Sequence, residues 1–202
     1  MESFDWMIVG LGNPGSNYQN NRHNVGYSVI QQMIAENNLD LFEKTRHYLT
    51  AKYTKFRKKA LLVLPLTYMN LSGEAIIRVS IQYGIKPEHI IIILDEYNFP
   101  VGKIQIKSGG SDGGHNGVAS VLSKLEKNTF YRLRMGIDHN FGPGELVDYV
   151  LSDFTQDEIE EAAKMRQKAI DAINHILKAG ITRSLSDINS GRLWADKGDI
   201  SQ

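Results

Sequence analysis

The sequence predicts an α/β fold: a single domain over residues 1–202, built on a twisted, mixed and mostly parallel sheet flanked by helices on both faces. Three observations predict it. The run Ile90-Ile91-Ile92-Ile93-Leu94 is continuously apolar, as a strand covered on both faces must be. Segments with a two-residue apolar period alternate with segments of helical period, the order expected of a sheet crossed over by helices. Two further strands, 47–56 and 59–66, are joined by the basic turn Phe56-Arg57-Lys58-Lys59, and this hairpin makes the sheet mixed.

Each element follows in order. Trp6 to Val9 is short and apolar and reads as a buried strand. Val25, Val29, Ile30, Met33 and Ile34 form one helical stripe. After the hairpin, a helix from Asn70 carries Ala75, Ile76, Val79 and Tyr83 and stops at Gly84, before Pro87. The Ile90–Leu94 strand comes next, then a half-exposed alternating strand from Lys103 to Lys107. A glycine-rich loop leads to a helix marked by Val118, Val121, Leu122 and Leu125. Leu133, Met135 and Ile137 mark another strand. Thr155-x-x-Glu158 is a capping box that opens a long helix through Ile159, Ala162, Ile170, Ile173 and Leu177 to Gly180. The tail from about residue 181 is polar and poorly patterned. There is no internal repeat, low-complexity tract or linker.

Composition excludes several classes. An apolar content of 42% and a charged content of 23% are those of an ordinary globular protein. No window is apolar for the length of a bilayer, so no membrane partner is expected. The start lacks the basic region of a signal peptide, and a cytoplasmic location is the simplest expectation. With no cysteine, disulfides, thiolate nucleophiles and Cys-type zinc sites all fall away. Net charge is zero but unevenly spread. Lys44, Arg46, Lys52, Lys55, Arg57, Lys58 and Lys59 share an acid-free stretch from 44 to 59, whereas 145–161 is rich in acids and has no Lys or Arg. That asymmetry can give a polyanion a basic face, although a solvated hairpin and an acidic helix start explain it as well.

Gly10, Gly12 and Gly15 spell G-x-G-x-x-G, the dinucleotide fingerprint, directly after the first strand. That motif needs a helix to open at the third glycine, with its amino end on the pyrophosphate. Here Ser16 to Asn24 is polar and aperiodic, and Glu36 falls at a helix end instead of on a second strand. The glycines therefore shape a turn, and a polar loop leaves the carboxyl end of the first strand. Ligands of open α/β sheets bind beyond such ends. Four loops read as following strands supply Asn13, His23, Asn70, Asp95, His115 and Asn116. A histidine tied to a carboxylate is held in one tautomer and becomes a better base. Carboxamides orient a carbonyl or steady its oxyanion. With no nucleophile elbow, the set fits hydrolysis of an activated acyl bond by water. His115, His139, Asp112 and Asp138 are the metal alternative, but they lack tight ligand spacing and no metal is expected. His47, His89 and His175 read as surface residues.

These stretches also carry a resemblance. "VGLGNPGSNYQNNRHNVGY", "PLTYMNLSGEA", "LDEYNFPVGKIQIK", "GGSDGGHNG" and "YRLRMGI" occur in the order and spacing of bacterial-type peptidyl-tRNA hydrolases, from residue 7 to about 180. The resemblance implies a monomeric enzyme, without metal or cofactor, that cleaves the ester between a peptide and the terminal ribose of tRNA. It implies that His23 is the base, Asp95 its orienting partner, and that Asn13 and Asn70 hold the carbonyl. Asn116 would position water and substrate, Tyr18 and Met69 would line the cleft, and His115 would lie beside it. Lys107 and Arg134 match residues that grip the tRNA 5′-phosphate, although Arg134 can also be read as pairing with an acid across the sheet.

The chain departs from the family pattern at three places. Gln105 stands where a further basic residue of the phosphate clamp is usual, with Lys103 on the same alternating face. Asp138 interrupts a glycine-rich continuation, and the tail lacks the usual asparagine-rich stretch. Two other classes share features with this sequence. RNA-binding splicing factors of the same fold are not enzymes, but the chain retains His23, Asp95, Asn13, Asn70 and Asn116. A nucleotide-dependent enzyme would require NAD binding.

Overall fold

The structure, a computed structural model, describes residues 2–195. Seven strands form one sheet in the order β2-β3-β4-β1-β5-β7-β6. In chain order the elements are β1 (Trp6–Gly10), α1 (Val25–Glu36), β2 (Leu41–Lys44), β3 (Tyr48–Lys55), β4 (Lys58–Pro65), α2 (Ser72–Tyr83) and β5 (Ile90–Glu96). There follow β6 (Ile104–Ser108), α3 (Asn116–Lys124), β7 (Tyr131–Gly136), α4 (Leu146–Val150), α5 (Ile159–Ala179), α6 (Ile181–Asn189) and α7 (Arg192–Ala195).

The sheet is mixed and covered on both faces, as the apolar Ile90–Leu94 run requires. Alternate residues of β5 enter opposite cores: Ile91 and Ile93 pack with α1 and α5, Ile92 and Leu94 with α2 and α3. Burying each such side chain is worth about 1.5–3 kcal/mol relative to exposure. The predicted predominance of parallel pairs is not met. β4, β1, β5 and β7 are parallel, but β2–β3, β3–β4 and β6–β7 are antiparallel. Strand β2, short and mostly exposed, escaped the sequence reading because its four residues carry no alternation.

Gly10 and Gly12 of the first loop serve packing, whereas Gly15 shapes the turn with a φ of 109°. A Cβ on Gly10 would sit 2.4 Å from the carbonyl oxygen of Gly26 on α1. Two 3-10 turns, Ser16–Tyr18 and Arg22–Asn24, follow before α1 opens, so no helix points at a pyrophosphate. Two expectations need correction. The tail is helical to Ala195: Ser184 and Ile188 are buried, and Asn189 pairs with the edge strand β6. Its spacing of Ile181, Leu185 and Ile188 is amphipathic, a pattern obscured by the polar residues between. His175 is half-buried and bonds Asp187 at 2.9 Å.

Candidate active site

Strand β1 lies between β4 and β5, and the chain leaves its carboxyl end toward one side and returns on the other. This is the switch point at which open α/β sheets bind ligands. Asn13 and His23 come from the loop after β1, Met69 and Asn70 from the 3-10 turn after β4, and Asp95 from the end of β5. His115 and Asn116 arrive by a different route from the one expected. β6 runs antiparallel, so its loop starts at the opposite end of the sheet, where Ser108 pairs with Tyr131. Residues 109–115 then travel back along the sheet face to the cleft.

That return path rests on Arg132, which the sequence reading passed over. Its side chain is buried, with the residue only 2% exposed. It donates to the carbonyls of Ser111 (2.5 Å) and Gly110 (2.7 Å) and to Asn128 Oδ1 (3.3 Å). The signal was present, because the alternation of β7 puts Arg132 on the same face as Arg134.

At the centre, His23 Nδ1 and His115 Nε2 each lie 2.9 Å from the same oxygen, Asp95 Oδ1. The two histidines are not equivalent. His115 caps α3, its Nδ1 accepting from the N–H groups of Gly117 (3.1 Å) and Val118 (3.3 Å). Its proton therefore sits on Nε2 and is donated to Asp95. The one side-chain hydrogen bond of His23 is to Asp95, and its ring lies 4.9 Å from that of His115, so its Nε2 has no hydrogen-bond partner among the described residues. Burial opposes a charge on the His23 ring, but the Asp95 carboxylate outweighs it and raises the pKa above the ordinary value. Burial alone would raise the pKa of Asp95, yet the two imidazoles hold it well below the usual carboxylate range.

Asn13 is fixed on three sides. Asn24 Oδ1 accepts from its backbone N–H (2.8 Å), and Asn24 Nδ2 donates to its carbonyl (2.9 Å). Its own Oδ1 accepts from Met69 N–H (2.7 Å), which leaves its Nδ2 as a free donor beside the cleft. Asn24 was missed as a positioning residue because backbone contacts leave no pattern in sequence. Next to His23, buried Arg22 bonds Glu158 (2.7 Å) and stacks on Tyr149 and Phe154, which ties the loop to α4 and α5.

The cleft has two lobes that meet at His23, Asn116, Val147 and Val150. One, of about 430 Å³, is lined by Asp95, His115, Lys107, Arg132 and Arg134. The other, of about 460 Å³, is lined by Asn13, Tyr18, Tyr68, Met69, Asn70 and Leu71. Arg134 does pair across the sheet, with Glu96 at 3.0 Å, and also donates to Gln105. Burial and the two neighbouring arginines push the Lys107 pKa down. Lys103 lines neither lobe; its ammonium lies over the Phe99 ring, which Arg134 also covers.

The metal alternative read from sequence is not assembled. Asp112 accepts from Gly114 N–H in its own loop, Asp138 from His139 N–H, and His139 stacks on Phe141. Among the described residues, the one convergent group of possible metal ligands is His23, Asp95 and His115, within 4.8 Å of one another. Their facing atoms already engage each other through the two bonds to Asp95.

A family model described as peptidyl-tRNA hydrolase matches residues 7–196. The chain is 39% identical over 184 residues to a peptidyl-tRNA hydrolase of Bacillus subtilis (strain 168), covering 91% of this chain and 98% of that one. It is 40% identical over 184 residues to the Bacillus anthracis protein of that name, covering 91% of this chain and 99% of that one. A crystal structure of peptidyl-tRNA hydrolase from Acinetobacter baumannii superposes with a TM-score of 0.86 at 30% identity, covering 94% of this chain and 98% of the other.

Proposed function

The chain belongs to the peptidyl-tRNA hydrolase family, and from that premise we propose that it hydrolyses the ester joining a peptide to the terminal ribose of tRNA, with His23 as the base. The observation that carries this reading is the division of labour on one ring: Nδ1 engaged by a buried carboxylate, Nε2 without a partner. Nε2 takes a proton from water as the oxygen attacks the ester carbonyl. Asp95 keeps the reactive tautomer and stabilises the imidazolium that forms. The Nδ2 group of Asn13, with Asn70 on the rim, holds the carbonyl and the oxyanion it becomes, while Asn116 positions water. Collapse breaks the bond between the carbonyl carbon and the ribose oxygen. The imidazolium proton passes to that oxygen, leaving a free tRNA hydroxyl and a peptide carboxylic acid, which releases its remaining proton to water.

The two lobes sort the two halves of the substrate. Lys107 and Arg134 provide cations for the acceptor end and its 5′-phosphate, with Gln105 and Glu96 bracing the guanidinium. Tyr18, Tyr68, Met69 and Leu71 offer the mixed apolar surface that suits a peptide of varied sequence. The His–Asp pair needs no metal or cofactor for this chemistry, and the site is complete within one chain, as a monomer requires. Such a substrate arises wherever translation runs, which supports a cytoplasmic location.

The test is hydrolysis of N-acetyl-aminoacyl-tRNA, with and without exhaustive chelation. His23→Ala is expected to remove on the order of 10²–10⁴-fold of the rate while leaving the fold intact. A variant retaining more than about a tenth of the rate would move the base elsewhere. Loss of activity on chelation, restored by one metal, would overturn the water-activation scheme.

A further inference from the structure

A second cavity, of about 540 Å³, lies between α1 and α5 and shares no lining residue with either lobe of the cleft. Its volume falls within the roughly 300–1,000 Å³ of small-molecule sites. Two opposite charges line it without partners among the described residues: the half-buried guanidinium of Arg166 and the exposed carboxylate of Asp153. Burial pushes the Arg166 pKa down, so an anion there would relieve an uncompensated cation. The charges stand at opposite ends. Asp153 is bridged to Asn21 at one end, and the Gln32–Gln167 contact at 3.4 Å puts Arg166 at the other. Ile159 and Arg166, on the cavity face of α5, are two turns apart, about 10 Å.

The lining between the charges is rich in carboxamides. Gln19, Asn20 and Gln31 make no side-chain hydrogen bond among the described residues. Asn21 is 2% exposed, and its Nδ2 is a buried donor with no partner.

We propose that this cavity binds a short peptide with both termini free, its carboxylate on Arg166 and its ammonium on Asp153. Each peptide unit offers one donor and one acceptor, and a carboxamide satisfies both. A phosphate would meet Arg166 but not Asp153, so the pair of charges selects a zwitterion. The occupant would also bear on the reaction. Asn21 Oδ1 accepts from Asn24 N–H at 3.0 Å, and Asn24 is the residue that fixes Asn13.

The test titrates trialanine, its N-acetyl form and its C-terminal amide into the full chain, by calorimetry and by NMR of the side-chain amides. Trialanine is expected to bind saturably and to shift the amides of Asn20, Asn21 and Gln31. Amidating the peptide and Arg166→Gln should each weaken binding about tenfold, and no further in combination. N-acetylation and Asp153→Asn should behave in the same way. Both variants should hydrolyse substrate normally in the absence of peptide, since neither residue lines the cleft. Binding indifferent to both variants, shifts confined to Asn13, Asn70 and Asn116, or no saturation at millimolar peptide would each overturn the proposal.

Discussion

His23 and His115 reach the same carboxylate oxygen, yet only His23 keeps a ring nitrogen without a partner among the described residues. The Nδ1 of His115 accepts from two helix N–H groups and its Nε2 donates to Asp95, so both ring nitrogens are engaged. His23 carries no such obligation. Asp95→Asn is therefore expected to act through His23. It removes the carboxylate that outweighs burial, so the acid limb of kcat/KM against pH should move to lower pH. Asparagine can also present the wrong atom to the ring, and the neutral-pH rate should fall on the order of 10²-fold. An unchanged rate with an unchanged acid limb would reduce Asp95 to a turn cap. At this scale the sequence was informative about the groups that do chemistry, because imidazole, carboxylate and carboxamide stand out in loops after apolar strands. It was silent about Asn24 and Arg132, whose work is done on backbone atoms.

Elements show the same division between local and distant causes. The capping box at Thr155 forms only in part. Glu158 accepts from Thr155 N–H at 2.7 Å, but it also binds the Thr155 hydroxyl and Arg22, and no sequence rule reports that remote arginine. The return loop 109–115 is legible as glycine-rich, but its course depends on the antiparallel setting of β6. Arg132→Met should release that loop, lower kcat/KM at least about tenfold and disturb the His115 ring resonances, with Arg132→Lys recovering part of the rate. A variant with normal rate and resonances would show that other contacts hold the loop. The β3–β4 hairpin turns on two residues, Phe56 and Arg57, both with positive φ (53° and 62°), where asparagine and glycine are favoured. Replacing them by Asn-Gly should stabilise the protein by about 1–2 kcal/mol in denaturant unfolding without altering hydrolysis. No gain in stability would mean that the Phe56 contacts with Lys55 and Lys178 offset the strain.

For the whole molecule, the pH dependences of stability and of activity should diverge, because one buried ion pair serves both. The His23 pKa is raised in the folded state, so its contribution is full below the unfolded value, about 6.5, and is lost as pH rises through the folded value. The Asp95 pKa is lowered, so its contribution is present above the unfolded value, about 3.9, and is lost as pH falls through the folded value. These are two views of one interaction, which is at full strength roughly between pH 4 and 6.5. Catalysis needs the opposite state of the ring, a neutral His23 able to take a proton, so activity should climb as this part of the stability declines. Other groups also titrate, notably Asp187, whose bond to His175 lowers its pKa. The clean quantity is therefore a difference: thermal midpoints of the parent protein minus those of Asp95→Asn, measured from acid to alkaline pH. That difference should be largest on the mildly acidic plateau and shrink or reverse as pH rises through the His23 value, while the parent's kcat/KM rises over the same interval. A difference that stays constant across the range would mean that the histidine is not charged by its carboxylate in the folded protein, and the pairing would then serve geometry alone.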